Sequence, residues 1–165
     1  MRGPKASGAF LVFHCFAISL SMLPSASGQV EQVSEPSPQL ALLMTKAEAG
    51  DVAAQYRLGY VYAKGLDVSL DYAEAVRWWT RAAEHGSAGA QNDLAYSYLQ
   101  GRGVTQDCSQ ALHWFHAAAE QGFAAGQFNL GAMYEDGLCA PTDYSQAVAW
   151  YQKAVDQGFA RAENG

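Results

Sequence analysis

The chain has 165 residues, the length of a single ordinary domain, and its 16 acidic and 10 basic residues give a formal charge of −6. An excess of acidic side chains repels phosphate backbones, so the composition argues against a nucleic-acid partner.

The first 28 residues have the order of a secretory signal peptide. Arg2 and Lys5 precede an apolar run of 15 residues, and Ala26 and Gly28 are the small residues that a signal peptidase site requires. The run is short for a membrane span. We therefore expect cleavage after Gly28, a secreted or periplasmic location and no stable membrane insertion afterwards. An uncleaved anchor is the alternative.

The segment 29–38, "QVEQVSEPSP", has two prolines and no apolar periodicity, which predicts a flexible leader. Beyond residue 53 the sequence repeats itself every 36 residues without a gap. The three blocks are residues 54–89, 90–125 and 126–161, and residues 162–165 supply the first four positions of an incomplete fourth block.

Each block contains two helical stretches separated by a turn. The first stretch ends at a glycine, and the second opens with an aspartate followed three residues later by Glu or Gln, which is a capping-box pattern. The glycines are Gly65, Gly101 and Gly137, and the aspartates are Asp71, Asp107 and Asp143. A single pair of short helices cannot bury an apolar stripe, so consecutive pairs must stack. The sequence predicts an all-α, right-handed solenoid of antiparallel helix pairs.

The block pattern, with its Leu, Gly, Tyr, Asp, Ala and Trp in register, resembles the Sel1-like repeat, a relative of the tetratricopeptide repeat. The resemblance covers residues 54–161. The middle block has "GRGV" at its turn, whereas Asp67 and Cys139 replace the second glycine in the other two, which leaves the geometry of those turns open. Residues 39–53 match the second helix of a block more weakly and predict an N-terminal capping helix.

The resemblance implies an adaptor that binds a protein or peptide along its concave surface. We expect no cofactor. In block one the core face of the first helix carries Ala54, Leu58, Val61 and Tyr62, so Tyr56, Tyr60 and Ala63 lie opposite. The corresponding positions are Asn92, Tyr96 and Leu99, then Phe128, Ala132 and Glu135. We predict a partner-binding groove formed by Tyr56, Tyr60, Tyr96, Leu99 and Phe128. The alternative is that some of these side chains pack between repeats.

Few residues suggest catalysis or metal binding. His113 and His116 are three apart on a helix, as in a two-histidine metal site, but the equivalent positions in the other blocks indicate solvent exposure. Glu135 and Asp136 are an acidic pair that could include a general acid, yet neighbours on a helix point in different directions. We expect neither a metal site nor an enzyme. Two other functions stay open, a glycan-binding protein or hydrolase of the cell envelope and a truncated, non-functional remnant.

Cys108 and Cys139 would share an oxidising compartment and lie near loops of neighbouring blocks, so a disulfide between them is one interpretation and two free thiols the other. The helix predicted over 144–157 has no following helix to cover Trp150 and Tyr151. Three explanations remain for that end: a truncated product, self-association through this helix, or side chains that already face inward.

Overall fold

The computed structural model describes residues 36–159, which form seven helices and no strand. The helices are α1 (Pro38–Glu48), α2 (Val52–Lys64), α3 (Tyr72–Glu84), α4 (Ala88–Gln100), α5 (Cys108–Glu120), α6 (Ala124–Asp136) and α7 (Tyr144–Asp156). After the single helix α1 they pack as the pairs α2 and α3, α4 and α5, and α6 and α7, which confirms the predicted solenoid. The predicted signal peptide, most of the leader and residues 162–165 lie outside the described residues. No described helix is long and apolar enough to cross a membrane.

The second helix of each pair begins at the predicted aspartate. Each carboxylate accepts hydrogen bonds from backbone N–H groups of the first turn, as an N-cap does. The reciprocal half of the capping box is absent because each aspartate's own N–H donates, at 2.9–3.0 Å, to a carbonyl near the end of the preceding helix. These carbonyls belong to Tyr62, Tyr98 and Tyr134. The N-cap therefore also fixes how each helix pair folds back on itself.

The N-terminal helix is shorter than predicted. Instead of extending over 39–53, α1 ends at Glu48 and α2 already begins at Val52. The break follows from Gly50, whose φ is +93°, and from Asp51, whose carboxylate accepts a 2.9 Å hydrogen bond from the N–H of Ala54. Asp51 thus caps α2, and α1 packs on the first pair as a separate helix.

The core of each pair is formed by residues at repeating positions. Leu58, Leu94 and Leu130 are fully buried, as are the alanines at the helix crossings. Ala63, which the helix periodicity places opposite the core, is instead only 9% exposed and packs near Trp79. Its methyl group belongs to the core cluster that contains Trp79 and Leu94, so α3 and α4 together cover this position.

Three buried glutamines connect each first helix to the second helix before it. Their side-chain amides donate, at 3.1–3.2 Å, to a backbone carbonyl in the last turn of that preceding helix. The donors are Gln55, Gln91 and Gln127, and the acceptors are Ala47, Ala83 and Ala119. Each of these carbonyls also accepts a hydrogen bond from the backbone N–H of the glycine that follows its helix, so the glutamine adds a second bond that joins two neighbouring helix layers.

The turn inside each pair keeps one geometry despite its changed sequence. Gly103 has a φ of +71°, and Asp67 and Cys139 at the equivalent positions adopt φ values of +58° and +63°. In all three turns, this left-handed residue lies against the N-terminal end of the helix that precedes its pair. Asp67 accepts a 3.0 Å hydrogen bond from Ser37, a Cβ on Gly103 would overlap the backbone of Tyr72, and Cys139 is bonded to Cys108.

The last described helix has one uncovered face. Val148 and Val155 are 65% and 54% exposed, whereas the residues at the same positions of α3 are buried beneath α4. Trp150 and Tyr151 are half-buried within their own repeat, and the Tyr151 hydroxyl donates a 2.6 Å hydrogen bond to Glu135. The exposed apolar surface of α7 therefore comprises these two valines and Tyr144 rather than Trp150 and Tyr151.

Candidate binding site on the first-helix face

A cavity of about 330 Å³ lies where α2, α3 and α4 meet. We call it the tyrosine pocket, and its principal lining residues are Tyr60, Lys64, Trp79, Asp93, Tyr96 and Arg102. The C-terminal half of α2 contributes Tyr60 and Lys64, α4 contributes Asp93 and Tyr96, and Arg102 follows the glycine that ends α4. The pocket thus combines aromatic walls with charges of both signs.

Asp93 stands at the centre of a polar network that crosses three first helices. Its carboxylate accepts a 3.2 Å hydrogen bond from the side-chain amide of Asn92 and another from the hydroxyl of Tyr56 on α2. Asn92 in turn accepts a 2.8 Å hydrogen bond from Asn129 on α6. These bonds hold the three helices in register and commit the oxygens of Asp93 to partners within the protein.

Burial sets the ionisation of this network. It raises the pKa of Asp93 because the charged carboxylate loses water, while the hydrogen bonds from Asn92 and Tyr56 and the nearby charge of Lys64 oppose that rise. Burial, together with the adjacent Asp93 charge, raises the pKa of Tyr56 to about 12. The floor of the site is partly shielded from solvent, since Tyr56, Asn92 and Asp93 are all half-buried.

Two cations lie against the aromatic side chains of the pocket. The ammonium of Lys64 is 5.6 Å from the ring centre of Tyr60, and the guanidinium of Arg102 is 5.7 Å from that of Tyr96 and 5.9 Å from that of Tyr72. These are cation–π distances. Neither cation forms an ion pair with any described residue. Their hydrogen-bond donors therefore remain available to a ligand.

The predicted groove residues do not form one continuous path. Tyr60 and Tyr96 both line the tyrosine pocket, and Tyr56 is tied to Asp93 behind it. Leu99 packs against the core of the second repeat, and Phe128 stacks on Tyr151 at a ring-centre distance of 5.2 Å. Leu99 and Phe128 are thus packed within their repeats, as the alternative prediction had it.

The two histidines have different surroundings. His113 is exposed as expected, but His116 is half-buried, and its Nε2 lies 3.0 Å from the hydroxyl of Tyr134. The expectation of solvent exposure is therefore wrong for His116, because it packs between Tyr134 and Trp150. Among the described residues no three His, Cys, Asp or Glu side chains are arranged to hold a metal ion.

Glu135 and Asp136 are both exposed at the end of α6. Glu135 accepts the hydrogen bond from Tyr151, which gives it a packing role at the helix pair. Cys108 and Cys139 form a disulfide between the start of α5 and the turn after α6, with their Cα atoms 4.9 Å apart. The bond joins the second and third helix pairs.

The charged residues of the pocket differ from the residues at the equivalent positions of the other repeats, and this difference is visible in the sequence. Asp93 replaces Arg57 and Asn129, Lys64 replaces Gln100 and Asp136, and Arg102 replaces Leu66 and Leu138. Functional residues in a repeat protein stand out as such departures, and these three charged residues meet that criterion as the histidines and the acidic pair do. These three residues meet in one cavity because α3 packs on both α2 and α4.

Comparison with known proteins agrees with this architecture. The sequence profile of the Sel1 repeat matches residues 52–87, 88–123 and 124–159, which together make up more than half of the chain. Each match spans 36 residues and begins two residues before the block defined from the sequence, at the first residue of a first helix. No curated protein matches this chain.

Two solved structures are similar in sequence and shape. One is a protective antigen present in uropathogenic Escherichia coli strains that displays an SLR fold, with 40% identity and a TM-score of 0.71 over 72% of this chain. The other is a Sel1 repeat protein from Oxalobacter formigenes, with 35% identity and a TM-score of 0.68 over 73% of this chain. The aligned region spans 26% and 49% of those two chains. On the strength of the three tandem matches, the chain belongs to the Sel1 repeat family.

Proposed function

We propose that this chain is an exported Sel1 repeat protein that binds a protein partner through the tyrosine pocket. Sel1 repeat proteins typically mediate protein–protein interactions, which supports the general role. The observation that carries the proposal is the pair Tyr60 and Tyr96, which are 47% and 44% exposed and line the same cavity. Exposed tyrosines in a concave site are typical anchors, since they bury a large area at small entropic cost.

Export is supported by two independent features. Residues 1–28 have the charge, apolar run and small residues of a signal peptide. The Cys108–Cys139 disulfide suits an oxidising compartment, because cytosolic thiols are kept reduced. N-terminal sequencing of the protein recovered from the periplasm or medium tests this proposal. A first residue of Gln29 supports it, and a protein that stays in the cytosol with Met1 refutes it.

Partner binding can be tested by capture from the fraction in which the protein resides. The bait would be the exported protein, compared with a Tyr60→Ala/Tyr96→Ala double variant. Tyr144→Ala is the matched control, because Tyr144 is 69% exposed on α7, outside the pocket. We expect the control to retain the partner and the double variant to lose it, with equal helicity by circular dichroism. Equal retention by all three proteins would show that the pocket is not the binding site.

A further inference from the structure

The uncovered face of α7 carries an apolar stripe. Tyr144, Val148 and Val155 are exposed on this helix at spacings of four and seven residues, which places them on one side of it. Phe159, just beyond the helix, is 38% exposed and continues the stripe. We call these four residues the α7 stripe. In α3 and α5 the same side is covered by the next first helix, and no such helix follows α7 within residues 36–159.

No charged side chain interrupts the α7 stripe. The helix contains two charged residues, Lys153 and Asp156. The ammonium of Lys153 lies 3.7 Å from the ring centre of Trp150, and Asp156 accepts a 2.8 Å hydrogen bond from the side-chain amide of Gln152. Both charges are thus engaged within α7 itself. The stripe is an uncharged surface, and the contact that stabilises it most is with another apolar surface.

The stripe differs from the surface that a following first helix covers. At the position of Val155 the first two pairs have Ala83 and Ala119, both 2% exposed. Helices come close at this position, because a Cβ on Gly126 of α6 would lie 3.2 Å from the backbone nitrogen of Ala119. Such an approach needs small residues on both helices. Val155 is larger, so the α7 stripe suits a helix that packs at a greater distance than α4 and α6 do.

The spacing of the stripe reads the same in both directions. Val148 and Val155 are equally far from the midpoint between residues 151 and 152, and so are Tyr144 and Phe159. An antiparallel second copy therefore brings Val148 against Val155, and Tyr144 to the helix end that carries Phe159. A two-fold interface requires this self-complementarity, because both copies use the same patch. The orientation also matches that of α4, which covers α3 antiparallel to it after a three-residue connection.

We propose that the α7 stripe is the interface of an antiparallel two-fold dimer, in which a second copy of this chain covers it. Val148 of each copy packs on Val155 of the other, on either side of the symmetry axis. The inference goes beyond the proposed function, since the stripe shares no residue with the tyrosine pocket. Four side chains from each copy bury less than the roughly 1,200 Å² of a standard interface, so the dimer is weak.

Sedimentation equilibrium of the purified protein measures this association. We expect the average mass to rise towards that of a dimer as the concentration increases from about 10 µM to about 1 mM, the range of a small interface. Val148→Glu places a charge against the apolar face of the other copy and should weaken the dimer at least about tenfold. Val148 is exposed, so the variant should keep the helicity of the parent by circular dichroism.

Leu42→Glu is the matched control. Leu42 is 57% exposed on α1, at the opposite end of the solenoid, and the substitution is of the same kind. This variant should associate as the parent does. A parent protein that stays monomeric at about 1 mM would overturn the inference. A dimer that Leu42→Glu weakens as much as Val148→Glu would overturn it as well, because it would indicate a head-to-tail contact.

Cysteine cross-linking tests the orientation of the two copies. Residue 148 of one copy faces residue 155 of the other, so an equimolar mixture of Val148→Cys and Val155→Cys should form a disulfide-linked dimer under oxidising conditions. Each variant alone should react at least about tenfold more slowly, because its two cysteines are roughly 10 Å apart along the helices, whereas a disulfide allows Cα atoms about 7 Å apart. Single variants that react as fast as the mixture would refute the antiparallel register.

Discussion

The first repeat lacks one hydrogen bond that the second and third repeats possess. In those two, the side-chain oxygen of the buried glutamine accepts from a glutamine at the end of the second helix, with Gln121 donating to Gln91 at 2.6 Å and Gln157 donating to Gln127 at 2.8 Å. His85 occupies this place in the first repeat and contacts the carbonyl of Arg81 instead. The oxygen of Gln55 is consequently buried without a partner among the described residues.

Replacing His85 with Gln should complete the missing bond. An unsatisfied buried acceptor costs about 1–3 kcal/mol, and a neutral hydrogen bond at a partly exposed site returns roughly 1 kcal/mol of that. His85→Gln should therefore raise the free energy of unfolding by about 1 kcal/mol and the Tm by about 4 °C. His85 is exposed, so the loss of its own contacts subtracts little.

The measurement is urea unfolding followed by far-ultraviolet circular dichroism, with an unchanged slope required for a simple comparison. The reverse exchange, Gln121→His, is the matched variant, because it should strip Gln91 of its partner and lower stability by about the same amount. A His85→Gln protein no more stable than the parent would refute the reasoning, since it would show that solvent already satisfies the Gln55 oxygen.

Three further predictions concern the junctions and the polar network. The double variant Cys108→Ser/Cys139→Ser should lower the free energy of unfolding by about 3–4 kcal/mol, because the disulfide restricts the unfolded chain by closing a loop whose ends are 31 residues apart. Urea unfolding under oxidising conditions measures this loss, and a variant as stable as the parent would contradict the prediction. Gly103→Ala should lower the free energy of unfolding by more than about 3 kcal/mol, because the added Cβ overlaps the backbone of Tyr72. Gly86→Ala should lower it by only about 1–2 kcal/mol, because Gly86 has a left-handed conformation but open space around it. Equal losses of Tm in the two variants would disprove the contact at Gly103. Because the pKa of Tyr56 is raised from 10.0 to about 12, the folded state holds this proton longer than the unfolded state, so stability should fall as pH rises from 10 to 12. The Tyr56→Phe variant should lose less stability than the parent over that pH range. If urea unfolding shows the same loss in both proteins, the pKa of Tyr56 is not raised by folding.

The fold could be predicted from the sequence because each local signal recurs in three copies. Gly65, Gly101 and Gly137 end their helices in the left-handed conformation that the pattern predicts. The capping aspartates begin the next helices in the same way in every repeat. Such signals act over a few residues, so reading them requires no knowledge of how helices pack.

The glutamines show where a helical pattern is insufficient. Gln55, Gln91 and Gln127 align in the sequence, but polar residues on a helix are ordinarily assigned to solvent. In the structure they are buried, since each amide reaches a carbonyl at the end of the preceding helix. Only the position of that neighbouring helix distinguishes a polar side chain in solvent from one that links two repeats.

The pocket could be predicted only in part. The aromatic pair Tyr60 and Tyr96 follows from the periodicity of the first helices. The convergence of Lys64, Asp93 and Arg102 depends instead on where α3 places α2 and α4 relative to each other. Lys64 and Arg102 are 38 residues apart in the sequence, and no local signal relates these three residues. A site between repeats is a property of their packing rather than of any one repeat.

The junctions between helix pairs differ in the contact that the left-handed turn residue makes, which is a hydrogen bond at Asp67, close backbone packing at Gly103 and a disulfide at Cys139. In a solenoid each repeat contacts only its neighbours, so opening proceeds most easily from an end, one pair at a time. The α6 and α7 pair has an uncovered face and is the described pair most prone to such fraying. The Cys108–Cys139 bond lies at its junction, so an undocked pair remains tethered and re-docks at a high effective concentration. Oxidation of Cys108 and Cys139 would thus determine whether the α6 and α7 pair, once undocked, stays next to α5.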